Sequence, residues 1–415
     1  MQLRLLGSLV TAGALALSLA ACGSDDAGSA SAGSTTASDS GSCDNGEPIK
    51  VGHLAPLTGP SADLGALVKD GVDLAAQDIN ADGGVLGRCV EVVLKDDEGD
   101  PTKATQAARE LVDQEEVAAL IGPVLSSPTA AALEVTSRAQ IPHMVLSSLH
   151  AASIPKDYPY AFSNEVTQLQ GVQGMVDFLK SQGYERPVAM AVNNALGTFY
   201  ADAMPSALEE AGIPLVGDVA LNESGAVDVT PLLRPLLSED PDVLIVFQAA
   251  GPDNAAVVRA RNQLAPGMPV VGTGAMANVA ATGALPVDEM NDVFATGFSQ
   301  DVAYQEGQEA AIGEEAQEFL DAFRAYKETD VLEVSGAQAA SAYDQLRNWA
   351  AAAEGAEALD GDSIKEWLES NSVRGVRAEY SWSPKSHAGH PQEEIVGVVA
   401  ASLKDGILQL APGQD

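Results

Sequence analysis

Short runs of Val, Ile and Leu alternate along this chain with longer stretches whose apolar residues recur every three or four positions. The runs predict strands at Ile49 to Leu54, Val90 to Lys95, Val117 to Ile121, Pro142 to Leu146, Val188 to Val192, Leu215 to Val219, Val243 to Phe247, Val270-Val271 and Val293 to Gly297. Helices are predicted between them. Ser61 to Asn80 places Leu64, Leu67, Val68, Val72, Leu74, Ala75 and Ile79 at helical spacing and is stopped by Gly83-Gly84; others are Lys103 to Gln114, Thr129 to Arg138, Leu169 to Gln182, Phe199 to Ala211 and Asn254 to Leu264. Continuous strand–helix alternation argues an α/β fold of parallel sheets covered by helices on both faces. A single sheet of so many strands would be unusual, so two sheets are expected. No fixed-period repeat points to a solenoid.

The start of the chain follows another pattern. Arg4 precedes an apolar run, Leu5 to Leu19, that is too short for an ordinary membrane span, and Ala20-Ala21 is a small-residue cleavage site. The cysteine that follows makes Leu19-Ala20-Ala21-Cys22 resemble the lipobox of bacterial lipoproteins. That resemblance implies a signal peptide over residues 1–21 and a diacylglyceryl group on Cys22, hence a protein anchored by lipid on the outer side of the cell membrane. Residues 22–47 are mostly Ser, Gly, Ala, Thr and Asp; they cannot bury enough surface to fold and read as a tether, with a reach of roughly 25 Å for twenty such residues. The globular body is expected from Pro48 onward.

Charge and cysteines narrow the picture further. With 59 acidic against 22 basic residues the net charge is −37, which repels nucleic acid and offers no basic patch. Beyond Cys22, Cys43 and Cys89 form an even pair in an oxidising compartment, so a disulfide is expected rather than a metal site. Each lies just before a predicted strand. Parallel neighbouring strands would bring the two together.

Five motifs follow one another in the first third of the body. They are His53-Leu54-Ala55-Pro56-Leu57-Thr58-Gly59-Pro60, Asp78-Ile79-Asn80-Ala81-Asp82-Gly83-Gly84-Val85-Leu86-Gly87, Asp96-Asp97-Glu98-Gly99-Asp100-Pro101-Thr102-Lys103-Ala104, Ile121-Gly122-Pro123-Val124-Leu125-Ser126-Ser127, and Ile141-Pro142. In this order and spacing they resemble the leucine-isoleucine-valine-type solute-binding proteins of ABC transporters. The resemblance implies a type I periplasmic-binding fold, two Rossmann-like lobes joined by a three-crossover hinge, with a small solute held between them. By analogy, residues 48–163 and 298–391 would form lobe one, and residues 164–297 and 392–415 lobe two. It further implies a monomer that binds a small molecule and works with an ABC permease and ATPase, without cofactor, metal or catalysis.

The same resemblance assigns candidate ligand residues. Ser126 and Ser127 follow one lobe-one strand and precede a helix, where hydroxyls and free N–H groups can hold a carboxylate; one of them could equally serve as the helix cap. Ser147 and Ser148 follow the next strand as the second clasp, with His150 close behind. Departures from the pattern carry as much information. Aromatic positions of the family fall on Leu64 and Leu196, and the acidic position that would meet an ammonium falls on Gly274. Burying an unpaired ammonium costs several kcal/mol. Unless Asp253 reaches in, an α-amino acid is disfavoured, and a carboxylate, amide or larger apolar solute is expected. Gln248, Asn193 and Asn194 end lobe-two strands and could face the cleft, whereas Tyr343 fits core or hinge packing.

Three other features admit rival readings. Gly272-Thr273-Gly274-Ala275-Met276-Ala277 fits a dinucleotide fingerprint, but it comes late in the chain and Asp288, Glu289 and Asp292 precede the next strand. His387 and His390 stand in a Pro- and Gly-containing loop without a third zinc ligand nearby, and no Gly-x-Ser-x-Gly elbow appears. A receptor lipoprotein that senses its ligand with the same clamshell fits the sequence as well as an importer component does.

Overall fold

The computed structural model describes residues 43, 46–248, 250–276, 279, 284–296, 314–328, 336–390, 398–404 and 407–411. The chain divides into residues 1–39 and 40–415, and every described residue belongs to the second unit. Cys22 and the signal segment therefore lie outside the described residues. Among the described residues no helix is long and apolar enough to cross a membrane.

Five parallel strands make the first sheet: β1 (Ile49–Ala55), β2 (Val90–Asp96), β3 (Leu120–Ile121), β4 (His143–Val145) and β5 (Ala161–Ser163), in the order β2-β1-β3-β4-β5. Helices α1 (Ala62–Ala81), α2 (Pro101–Asp113) and α3 (Ser126–Ala139) link the first four. The second sheet holds β6 (Pro187–Val192), β7 (Ala220–Asn222), β8 (Val243–Phe247), β9 (Val270–Gly272) and β10 (Val293–Thr296), all parallel, with β13 (Val398–Lys404) and β14 (Ile407–Leu410) added antiparallel beside β10. Its helices are α4 (Gln168–Gln182), α5 (Ala195–Ala211), α6 (Thr230–Leu237) and α7 (Gly251–Leu264).

Three crossings join the lobes. The chain leaves the first sheet after β5 to enter α4, and leaves the second after β10 to form α8 (Glu314–Tyr326), α9 (Ala337–Ala356), α10 (Gly361–Leu368) and the hairpin of β11 (Ser372–Arg374) and β12 (Glu379–Ser381). Ala388 bridges to Ser163 at the edge of the first sheet, after which the chain returns to β13. The lobe boundaries expected at residues 297/298 and 391/392 lie outside the described residues.

Packing explains these elements. One core merges Val51, Val68, Val72, Ala75 and Phe162 with Phe319, Leu346, Trp349 and Tyr380, so the late helices complete the early sheet. The second sheet is buried by Val188, Leu233, Leu244 and Val258 on one face and by Met175, Leu179, Met204 and Ile245 on the other. Local signals set the helix ends. Asp100 caps α2 by accepting from the N–H groups of Thr102 and Lys103 at 2.8 and 3.0 Å, with Pro101 in the first turn. Thr167 and Gln170 form a reciprocal capping box on α4.

Two expectations differ from the structure. Residues 215–219 are not a strand; β7 begins at Ala220, where Met190 of β6 finds its partner, and Gly217 between them has a φ of +75° that breaks an extended run. Helix α3 begins at Ser126 rather than near Thr129, so Ser126 and Ser127 stand inside its first turn instead of before it. The Cys43–Cys89 pair is bonded with Cα atoms 5.2 Å apart, beside the start of the β1–β2 ladder where Ile49 faces Val90.

Candidate functional site

Parallel strands of both sheets end at loops where helix N-termini converge, the usual ligand position in open α/β sheets. In the first lobe the decisive loops follow β3 and β4. Gly122, with a φ of +91°, turns the chain out of β3; a Cβ there would overlap the Leu54 carbonyl oxygen, so only glycine fits. Thr129 then ties the turn by donating its hydroxyl to the carbonyls of Leu125 and Pro123 at 2.8 and 3.1 Å. His143 of β4 holds the same turn from the other side. Its Nε2–H donates to the Gly122 carbonyl, leaving Nδ1 to accept from the Thr136 hydroxyl at 2.9 Å. Burial pushes His143 down to about 4, so the ring is neutral.

Ser126 and Ser147 are set by this frame. They are 4% and 2% exposed, and neither hydroxyl has a hydrogen-bond partner. The helix-cap role fails for both serines of the first clasp: Leu125 occupies the cap position and no side chain caps the helix. Ser127 instead reaches the second lobe, where its Oγ accepts from the Ala195 N–H at 3.2 Å. Ser148 is half-buried, and its carbonyl accepts from the Gln168 N–H at 2.8 Å. His150 also faces the second lobe. It is half-buried, its ring tilted against Phe199 of α5 with centroids 5.9 Å apart, and burial lowers its pKa. Both clasp loops of lobe one thus touch the start of α5.

The lobe-two residues sort differently. Gln248 is 0% exposed; its Nε2 donates to Asn222 at 2.6 Å while Oε1 has no partner. Asn194 caps α5, accepting from the N–H groups of Leu196 and Gly197 at 3.1 Å, and Asn193 donates to Glu223 at 2.9 Å, so both serve the loops. Leu64 and Leu196 are half-buried and pack against the cores of their own lobes. Each precedes a glycine, Gly65 or Gly197, whose Cβ would overlap the backbone oxygen of Pro56 or Val192. Gly274 is exposed in a single 3₁₀ turn, Gly274–Met276, after β9.

Three carboxylates near the strand ends are engaged. Asp96 accepts from the Leu57 N–H and the Thr58 hydroxyl, Glu165 pairs with Arg377 at 3.2 Å, and Asp253 accepts from Ser224 and the Gly225 N–H at 3.0 and 2.7 Å. Asp97 is buried with one oxygen on the Gly99 N–H, and desolvation raises it to about 6. His387 bonds the Ala161 carbonyl and Glu369, and among the described residues no group of His, Cys, Asp and Glu is arranged to hold a metal ion. Tyr343 is buried with its hydroxyl on Asp78.

Residues 48–401 match the profile of the family described as periplasmic binding protein. The chain belongs to that family. Within it, the protein is 28% identical over 235 residues to the Leu/Ile/Val-binding protein BraC3 of Rhizobium johnstonii, covering 55% of this chain and 62% of that one. It is 26% identical over 341 residues to an amino acid binding protein of Pseudomonas aeruginosa, covering 81% and 86%. The match to the first of these curated relatives spans less than two thirds of that relative's length. A crystal structure of a type 1 periplasmic binding protein from Bordetella pertussis Tohama I superposes with a TM-score of 0.77 at 22% identity, covering 88% of this chain and all of that one. This periplasmic binding protein therefore has the two-lobed type I fold, and its family places it outside the cytoplasm.

Sequence reasoning did not single out Gln168 or Phe199. Both contacts join residues about twenty to fifty positions apart, and nothing in either residue's local pattern announces them.

Proposed function

We propose that this protein is the lipid-anchored solute-binding component of an ABC importer, and that its solute is a small organic carboxylate with a neutral body. Ser126 and Ser147 carry the reading: two buried hydroxyls without partners, on neighbouring loops that touch the opposite lobe. An unpaired buried polar group costs about 1–3 kcal/mol. A carboxylate between the lobes supplies acceptors to both hydroxyls and to the free N–H groups of the α3 first turn. Lobe closure around such a solute is then favoured by the bonds it completes. Gln248 Oε1 offers the solute a neutral acceptor in lobe two, which suits a hydroxyl or amide N–H. An α-ammonium finds Gly274 where the family pattern has an acid, and Asp253 is occupied by the loop at residues 224–225. The anchor is supported by the lipobox ending at Cys22, and the permease and ATPase partners by the family resemblance.

Calorimetry tests the clasp. Replacing Ser126 and Ser147 together by Ala is expected to weaken binding of the best carboxylate from a thermal-shift screen more than tenfold, and millimolar leucine is expected to leave the melting temperature nearly unchanged. Unchanged affinity in the double variant, or a large leucine shift, contradicts the reading.

A further inference from the structure

Gln168 opens α4, the helix by which the chain first crosses from one lobe to the other. It is 0% exposed. Its backbone N–H donates to the Ser148 carbonyl at 2.8 Å, and its Oε1 accepts from the His150 N–H at 3.0 Å. The second bond fixes the orientation of the amide, since only the oxygen can accept from a backbone N–H. The NH₂ end is thereby directed away from His150, is buried, and has no partner. Capping does not explain the residue, because Thr167 and Gln170 perform that task on the same helix. The two bonds clamp Gln168 to the loop that carries Ser147, whose hydroxyl is also unpartnered, while Ser126 opens α3 after the loop that follows the neighbouring strand β3.

We infer that Gln168 is a specificity-determining residue whose amide NH₂ is a third donor to the anionic group gripped by Ser126 and Ser147. This rests on the solute-binding reading above. Three orphaned donor groups, one opening α3, one in the loop after β4 and one opening α4, none of them charged, are complemented by one carboxylate, whose two oxygens offer about four acceptor sites. A primary amide of the same skeleton presents one oxygen and adds two donors, so it satisfies the set poorly. Gln168 therefore selects carboxylates over their amides. Because it stands on the crossing helix, the same contact links the solute to the segment that moves on closure.

The test uses isovalerate, benzoate, 4-hydroxybenzoate and 2-hydroxyisocaproate, each with its primary amide, measured by calorimetry on the intact protein. Wild type is expected to bind at least one carboxylate more than tenfold tighter than its amide. Gln168→Glu keeps an acceptor for the His150 N–H but replaces the donor by an anionic oxygen, and should lower the carboxylate-to-amide ratio at least tenfold. Gln168→Met removes the donor without adding charge and should lower the ratio less. Melting without solute checks folding of both variants. An unchanged ratio in both variants, while Ser126→Ala still weakens binding, overturns the role of Gln168 alone. Failure of both variants to fold also overturns it, since the amide would then serve the protein's own structure. If wild type binds none of the four carboxylates, or Ser126→Ala has no effect, the carboxylate reading itself falls.

Discussion

Ser126 and His143 illustrate how single residues gain their roles from neighbours remote in sequence. A serine ahead of a helix is ordinarily read as a cap, yet α3 starts one residue earlier than that role allows, which frees the hydroxyl for another partner. His143 supports the turn through the Gly122 carbonyl, and its neutrality has a cost in acid. Burial lowers both His53 and His143 to about 4, against about 6.5 in an unfolded chain. With the folded pKa depressed, the unfolded chain takes up protons first, so these two residues contribute stability that is full above pH 6.5 and lost as pH falls toward 4. Each contributes up to about 3 kcal/mol on this account. Asp97, raised to about 6 by burial, acts oppositely, contributing stability below about pH 4 that is lost as pH rises toward 6. Urea titrations between pH 6.5 and 4 should show wild type losing stability relative to His143→Gln as pH falls, a difference that separates this histidine from the carboxylates. An equal slope in the variant would contradict the assignment to His143.

At the level of elements, most strands and helices were legible from apolar spacing, and the misses have identifiable causes. The β8 run Val243–Phe247 is a continuous apolar stretch buried on both faces and admits no other reading. Residues 215–219 look equally strand-like, but pairing with β6 and the positive φ of Gly217 move the strand to Ala220. Helix contacts are less visible still. In the sequence Gly71 is an ordinary helix interruption, whereas in the fold α1 rests there on α9: a Cβ would overlap the Ala339 carbonyl oxygen. Gly71→Ala is therefore expected to destabilise the protein by about 2–3 kcal/mol despite the better helix propensity of alanine. Chemical denaturation that finds the variant as stable as wild type would rule out this close approach.

For the whole molecule, charge is the dominant global property. A net charge of −37 opposes compaction through self-repulsion, and exposed ion pairs such as Lys103 with Glu98 and Arg138 with Glu134 offset little of it. Raising sodium chloride from about 50 to 500 mM shortens the screening length to a few ångströms. The melting temperature should rise over that range, and a fall would show that attractive pairs outweigh the repulsion. The sequence by itself determined the α/β class, the family and the strands that the candidate serines follow, because period, turn residues and motif order are local properties. Only the tertiary structure decided that α3 begins at Ser126 and leaves its hydroxyl free of a capping role, that Ser147 is more buried than Ser148, and that Gln168 is bonded to the second clasp loop. These outcomes depend on which distant segments exclude water from one another, a property that no single stretch of chain carries.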